Sequence, residues 1–260
     1  MKPYKYVIYS LEDRIINISL NRPDKRNALN QELVNELIHA FESARNDFQG
    51  KVIILKAEGG VFCAGADLAY IQELQNYSYE ENLQDSTQLK KLFHLIYTHP
   101  KVIIAQIEGH AIAGGFGLAS VCDFIFSVPK AKFGYTEVKI GFVPALVLVF
   151  LIRKIGEARA KRLLLSGDLY TAEELLSTGL FHGLYEKEEI DHITFAFAQK
   201  LCDQNSTSSM QLTKEMIANV QAMGLNEALD YAASMNAKAR ETEDCQKGIA
   251  SFLNKKKLSW

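Results

Sequence analysis

Cysteine is scarce in this chain of 260 residues. Cys63, Cys122, Cys202 and Cys245 stand far apart, form no CxxC pair and have no histidine at ligand spacing. That excludes a disulfide framework and a cysteine-based zinc site, and it reads as reduced thiols in a cytoplasmic protein. An excess of either charge is also missing. With 29 basic and 31 acidic residues the formal net charge is -2, so no overall field draws the chain to nucleic acid or to an anionic membrane. Long apolar runs are absent. The longest, Ile140 to Ile152, contains Gly141 and Pro144 and is too short to span a bilayer. Met1-Lys2-Pro3-Tyr4 leads into a strand-like segment, not into the apolar run of a signal peptide. No G-x-G-x-x-G stands in register and no Walker lysine follows the glycines, so no dinucleotide, no phosphate cradle and no metal are expected. No repeat, low-complexity tract or Pro/Ser-rich linker divides the chain.

What is present is a globular composition, 48% hydrophobic, with an alternation of two periodicities. Tyr6-Val7-Ile8-Tyr9 and Ile15 to Leu20 read as a hairpin around Glu12-Asp13-Arg14. Leu29, Leu33, Leu37, Ala40 and Phe41 recur at helical intervals. Val52-Ile53-Ile54-Leu55 and Val102-Ile103-Ile104-Ala105 are β-branched, wholly apolar runs of the kind found in buried parallel strands. A further strand is predicted at Asp123 to Ser127. Alternating strands and helices predict an α/β fold with crossover connections. From about Glu157 strand signals fade and the rest reads as mostly helical, ending in Phe252 to Lys257.

Two glycine-containing turns are the candidates for chemistry. In Phe62-Cys63-Ala64-Gly65-Ala66-Asp67-Leu68, small residues between a buried strand and a helical stretch let a ligand approach the backbone amides. In Gly109 to Ala119 a second such turn opens a helix, whose free N–H groups favour developing negative charge. Together the turns can form an oxyanion hole; tight packing at strand-to-helix corners is the other use of such residues.

Three blocks then stand in a telling order: Ala64-Gly65-Ala66-Asp67-Leu68, Gly109 through Cys122-Asp123, and Phe133-Gly134-Tyr135-Thr136-Glu137-Val138. In order and spacing they resemble the enoyl-CoA hydratase/isomerase (crotonase) family, and the likeness runs from Asn21-Arg22-Pro23 through Ser166-Gly167-Asp168 into the C-terminal helices. The resemblance implies a crotonase-like core of repeated ββα units over residues 1–195 and a C-terminal helical oligomerisation region over 196–260. It also implies an acyl-CoA substrate, with coenzyme A as part of that substrate and no other cofactor. A homotrimer or dimer of trimers is implied as well. Ala66 and Gly114 match the backbone donors to the thioester oxygen, and Glu137 matches an acid/base glutamate. Lys25, Arg26, Ala28, Ala64, Gly65, Asp67, Gly115 and Gly117 match substrate-binding positions, and Phe252 and Lys255 of a neighbouring subunit match further CoA contacts. Asp67 is also placed to cap the helix after it. Val138, Ile140 and Phe142 are the apolar neighbours expected to raise the Glu137 pKa. Tyr70 and Tyr77 fall on the segment expected to cover the acyl group. His110, Tyr135 and Thr136 lie beside the motifs without an assigned role.

Gly117 departs from the pattern: it stands where the family's other glutamate is expected, so two carboxylates gripping one water are not implied here. The run Glu137 to Ala145, with Gly117 inside Gly115-Phe116-Gly117-Leu118, looks like the bacterial methylglutaconyl-CoA hydratase branch, active in leucine degradation. A single glutamate is equally what an enoyl-CoA isomerase or a decarboxylase would use, and a noncatalytic acyl-CoA-binding protein is the reading of another class.

Overall fold

A computed structural model describes residues 4–260; Met1, Lys2 and Pro3, read above as the lead into the first strand, lie outside the described residues. The chain opens with β1 (Val7–Glu12) and β2 (Ile15–Leu20), an antiparallel hairpin in which Val7 faces Leu20 and Glu12 faces Ile15. Asp13 and Arg14 both take positive φ, 47° and 67°, the twist that a two-residue hairpin turn requires. Helix α1 (Gln31–Asn46) follows, its first turn closed by Asn30, whose side chain accepts from Leu33 N–H at 2.9 Å. Leu33, Leu37, Ala40, Phe41 and Ala44 form its buried stripe.

The same plan then repeats. β3 (Val52–Ala57) and β4 (Val61–Cys63) lead to α2 (Leu68–Leu74) and α3 (Tyr79–Tyr97). β5 (Val102–Ile107) and β6 (His110–Ile112) lead to α4 (Gly114–Ser120), and β7 (Phe124–Ser127) and β8 (Lys132–Gly134) lead to α5 (Ala145–Ser166). Gly156, at φ 75°, breaks α5 in two. The first strand of each later pair joins a six-stranded sheet ordered β1-β2-β3-β5-β7-β10, where β10 is Gly183–Leu184. The second strand joins a separate sheet ordered β4-β6-β8-β9, where β9 is Tyr170–Thr171. Alternate pairing into two sheets is the ββα spiral of the crotonase fold.

The large sheet is buried on both faces, which is why its central strands are apolar throughout. Ile16, Ile53, Leu55, Ile103 and Ala105 enter the main core with α1. Ile15, Val52, Ile54, Val102 and Ile104 face the other way, against Ile190, Ala198 and Cys202 of α7 (Lys187–Gln204). A short helix α6 (Ala172–Leu175) precedes α7. Helices α8 (Thr207–Val220), α9 (Leu225–Glu241) and α10 (Glu243–Leu253) complete the helical C-terminal part. The expected division at residue 195 falls inside α7, which packs on the large sheet. No helix among the described residues is long and apolar enough to cross a membrane.

Candidate active site

The small sheet assembles the three sequence blocks. β4, β6 and β8 lie side by side and parallel, and each is followed at its C-terminal end by one block, the end at which sites form in parallel sheets. Ala64-Gly65-Ala66 follows β4, Ala113-Gly114 follows β6, and Glu137 follows β8.

The two turns touch. Gly65 takes φ 89°, and a Cβ placed on it would stand 3.0 Å from Ala113 Cβ and 3.7 Å from the Gly114 nitrogen. The Ala66 segment is stitched to Leu29 on both sides, by Leu29 N–H to Gly65 C=O at 2.7 Å and Asp67 N–H to Leu29 C=O at 2.8 Å. Among the described residues neither Ala66 N–H nor Gly114 N–H donates to a protein acceptor. Two free amides on adjoining turns are what an oxyanion hole consists of.

Ala113 carries the second turn in an unusual conformation, φ 51° and ψ -125°. That region is normally left to glycine, and holding alanine there costs about 1–3 kcal/mol. Ala113 N–H to Gly134 C=O at 2.8 Å and Gly117 N–H to Ala113 C=O at 3.0 Å hold it. Sequence reading missed this residue because alanine gives no warning of positive φ.

Glu137 begins a 3-10 turn, Glu137–Ile140. Its Oε2 is buried without a hydrogen-bond partner, and burial raises its pKa above the ordinary carboxylate value. Ile140 and Phe142, expected to supply that apolar surrounding, are themselves mostly exposed. A carboxylate with one oxygen unpartnered and a raised pKa is fitted to exchange a proton with whatever ligand reaches it. Buried Tyr135 is close enough to feel the Glu137 charge, and its hydroxyl donates to Ser120 Oγ at 3.4 Å. His110 is occupied elsewhere, its Nδ1 accepting from Lys132 N–H at 3.0 Å.

Gly115 and Gly117 are buried and serve close packing. A side chain on Gly115 would run into the Cys63 backbone. One on Gly117 would run into Val147, with Phe93 Cζ at 3.2 Å. The place of a second carboxylate is therefore filled with hydrocarbon.

Asp67 caps α2, accepting from Ala69 N–H at 2.9 Å. It also binds Arg22 Nη1 at 2.6 Å with both side chains nearly buried, and Arg22 donates in turn to Ala28 C=O at 3.0 Å. Burial pushes the Asp67 pKa up, but hydrogen bonds from Arg22 and from the helix amide together outweigh it and hold the carboxyl below its ordinary value. Asp67 and Arg22 thus clamp the first turn to the loop bearing Lys25 and Arg26. Those two cations are exposed, and Ala28 is buried. Ala64 N–H to Arg26 C=O at 3.1 Å sets the candidate CoA-binding loop beside the candidate thioester turn. Arg22 and Asn27, whose amide donates to Glu58 C=O at 2.9 Å and Val61 C=O at 2.8 Å, were not singled out by sequence. Tyr70 and Tyr77 line a cavity of about 210 Å³ together with Gln31 and Asp85, and the Tyr70 hydroxyl donates to Asp85.

Comparison with known proteins identifies the family. The "Putative enoyl-CoA hydratase" of Thermus thermophilus is 40% identical over 239 residues, 92% of this chain and 94% of that protein. The "2,3-dehydroadipyl-CoA hydratase" of Escherichia coli is 29% identical over 251 residues, covering 96% of each. An enoyl-CoA hydratase structure from Shewanella pealeana superposes with a TM-score of 0.93 at 27% identity, covering 100% of this chain and 97% of that one. The family model described as enoyl-CoA hydratase/isomerase matches residues 10–260, and the chain belongs to that family of acyl-CoA enzymes.

Proposed function

We propose that the protein hydrates a branched or carboxylated enoyl-CoA, as a methylglutaconyl-CoA hydratase does, with Glu137 as its one acid/base residue. Ala66 N–H and Gly114 N–H bind the thioester oxygen. The Glu137 carboxylate takes a proton from water as that water's oxygen bonds to the β-carbon, and electron density moves onto the thioester oxygen. Glu137 then returns the proton to the α-carbon, giving the 3-hydroxyacyl thioester. The enolate-like charge is greatest midway, so donors aimed at that oxygen act chiefly in the transition state. Lys25 and Arg26 receive the phosphates of CoA, and no metal or redox group takes part.

The observation that carries this reading is Glu137 Oε2, buried and unpartnered, in the turn after β8 of the sheet whose β4 and β6 lead into the two free amides. The hydrocarbon at Gly117 supports a second reading, in which Glu137 moves a proton between two carbons as an isomerase or assists loss of a substrate carboxylate. Incubation with crotonyl-CoA, 3-methylglutaconyl-CoA and a 3-enoyl-CoA, with products identified by chromatography and mass, separates the two. Hydroxyacyl product from 3-methylglutaconyl-CoA is the expected result. Double-bond migration or carbon dioxide release without water addition replaces it with the second reading, and no product from any of the three leaves an acyl-CoA-binding role.

A further inference from the structure

A cavity of about 810 Å³, lined by Val121 and Asp123 from the end of the second sequence block but by none of Ala66, Gly114 and Glu137, opens at the beginnings of β5 and β7, between α5 and α8. Its size falls within the range of about 300–1,000 Å³ usual for small-molecule sites. The charge along its wall does not balance. Arg153, Lys154 and Lys214 face one carboxylate, Asp123. Lys214 is satisfied, bound to Asp123 Oδ2 at 2.6 Å and to Lys101 C=O at 3.0 Å. Lys154 spends one proton on Cys122 C=O, just past the end of α4, and makes no ion pair. Arg153 has no hydrogen-bond or ion-pair partner among the described residues. The lining also carries the apolar Phe124, Met210 and Ile217, among polar residues that include Ser209 and Thr213. Burial lowers the Lys154 pKa, an effect that the nearby Asp123 charge opposes without cancelling it.

We propose that this cavity is a second ligand site, taking an amphipathic monoanion whose carboxylate bridges Lys154 and Arg153 and whose hydrocarbon tail lies along Phe124, Met210 and Ile217. A carboxylate supplies the two acceptors that these donors lack, and a bare phosphate would leave the apolar wall facing water. The site is independent of the acyl-CoA reaction and stands or falls apart from it.

Calorimetric titration of the full chain with octanoate tests it, with octanol and inorganic phosphate as controls. One octanoate per chain is expected, bound more tightly than either control. Lys154→Met and Arg153→Gln should each weaken octanoate about tenfold, the scale of one charge-assisted hydrogen bond, while CoA binding is unchanged. Arg153 is partly exposed and anchors nothing, so its variant remains informative if Lys154→Met misfolds. No octanoate binding, binding unaffected by Arg153→Gln, or octanol bound as well as octanoate would overturn the proposal. So would an assembly of several copies from which octanoate is excluded, because the occupant would then be a second copy of the chain.

Discussion

Val147, near the start of α5, occupies the space into which any side chain on residue 117 would have to grow. Gly117→Ala should therefore cost about 1–3 kcal/mol through overpacking, read as a lower midpoint in urea. Adding Val147→Ala should return part of that loss, since the two positions are in contact and couple. Strictly additive effects in the double-mutant cycle would show that the two residues do not touch.

Glu137→Gln should lower kcat by about a hundredfold or more while CoA binding persists. Its stability should move the other way. The folded carboxyl has a raised pKa, so the penalty for charging it is absent below its ordinary value of 4.5 and grows as pH rises through the folded value. The glutamine variant should gain in melting temperature over the parent at pH 8, with the gap closing towards pH 4.5. A variant that keeps near-normal kcat would move the proton transfer to another group.

Ala113→Gly should relieve backbone strain of about 1 kcal/mol net, after the extra chain entropy of glycine is subtracted. Relief of strain also frees the amide of Gly114 to wander. A higher melting temperature combined with a lower kcat and little change in KM is the expected signature. A rise in kcat would mean that the strain does not orient the donor.

His99 is fully buried and neutral, with Nε2 on Phe41 C=O at 3.1 Å and Nδ1 accepting from Lys101 N–H at 3.1 Å. Burial, then the nearby Lys214 charge, lower its pKa from 6.5 to about 3. The unfolded chain binds the extra proton across that window. The stability due to the neutral ring is complete above about 6.5 and is lost as pH falls towards 3, by up to about 1.4 kcal/mol per pH unit. Urea titrations at pH 7 and pH 5 should show the loss, and His99→Gln should flatten it. Equal slopes in parent and variant would rule His99 out as its source.

The exposed apolar side chains include Ile140, Phe142 and Val143 before α5 and Leu225, Leu229, Phe252 and Leu253 on α9 and α10. Surfaces of that kind are commonly covered by another chain. Sedimentation at micromolar concentration should give a mass near three or six chains. A monomer there would refute assembly.

The large sheet was legible because burial on both faces leaves an unbroken apolar run at Val52–Leu55 and Val102–Ala105. The small sheet was not, although it carries the candidate site. β4, β6 and β8 have three residues each, too few for a period of two to emerge, and they read only as parts of turns. Ala66, Gly114 and Glu137 come from motif likeness, and the small sheet places each just beyond the end of one of its strands. The Arg22–Asp67 clamp and the Val147 wall at Gly117 join positions far apart in sequence, where local pattern carries no signal. Gly115 and Gly117 match substrate-binding positions by resemblance, and neither motif nor composition shows that Cys63 and Val147 close in on them.

Because Ala66, Gly114 and Glu137 follow three different strands of one small sheet, each belongs to a different ββα unit and none of the units holds a site by itself. A refolding chain gains its helices from local contacts early, whereas the pairing of β4, β6 and β8 waits on closure of the long intervening segments. Recovery of turnover must then trail recovery of helical signal. A partly assembled spiral presents exposed strand edges and no catalysis, so the cell gains nothing from an intermediate and bears its aggregation hazard.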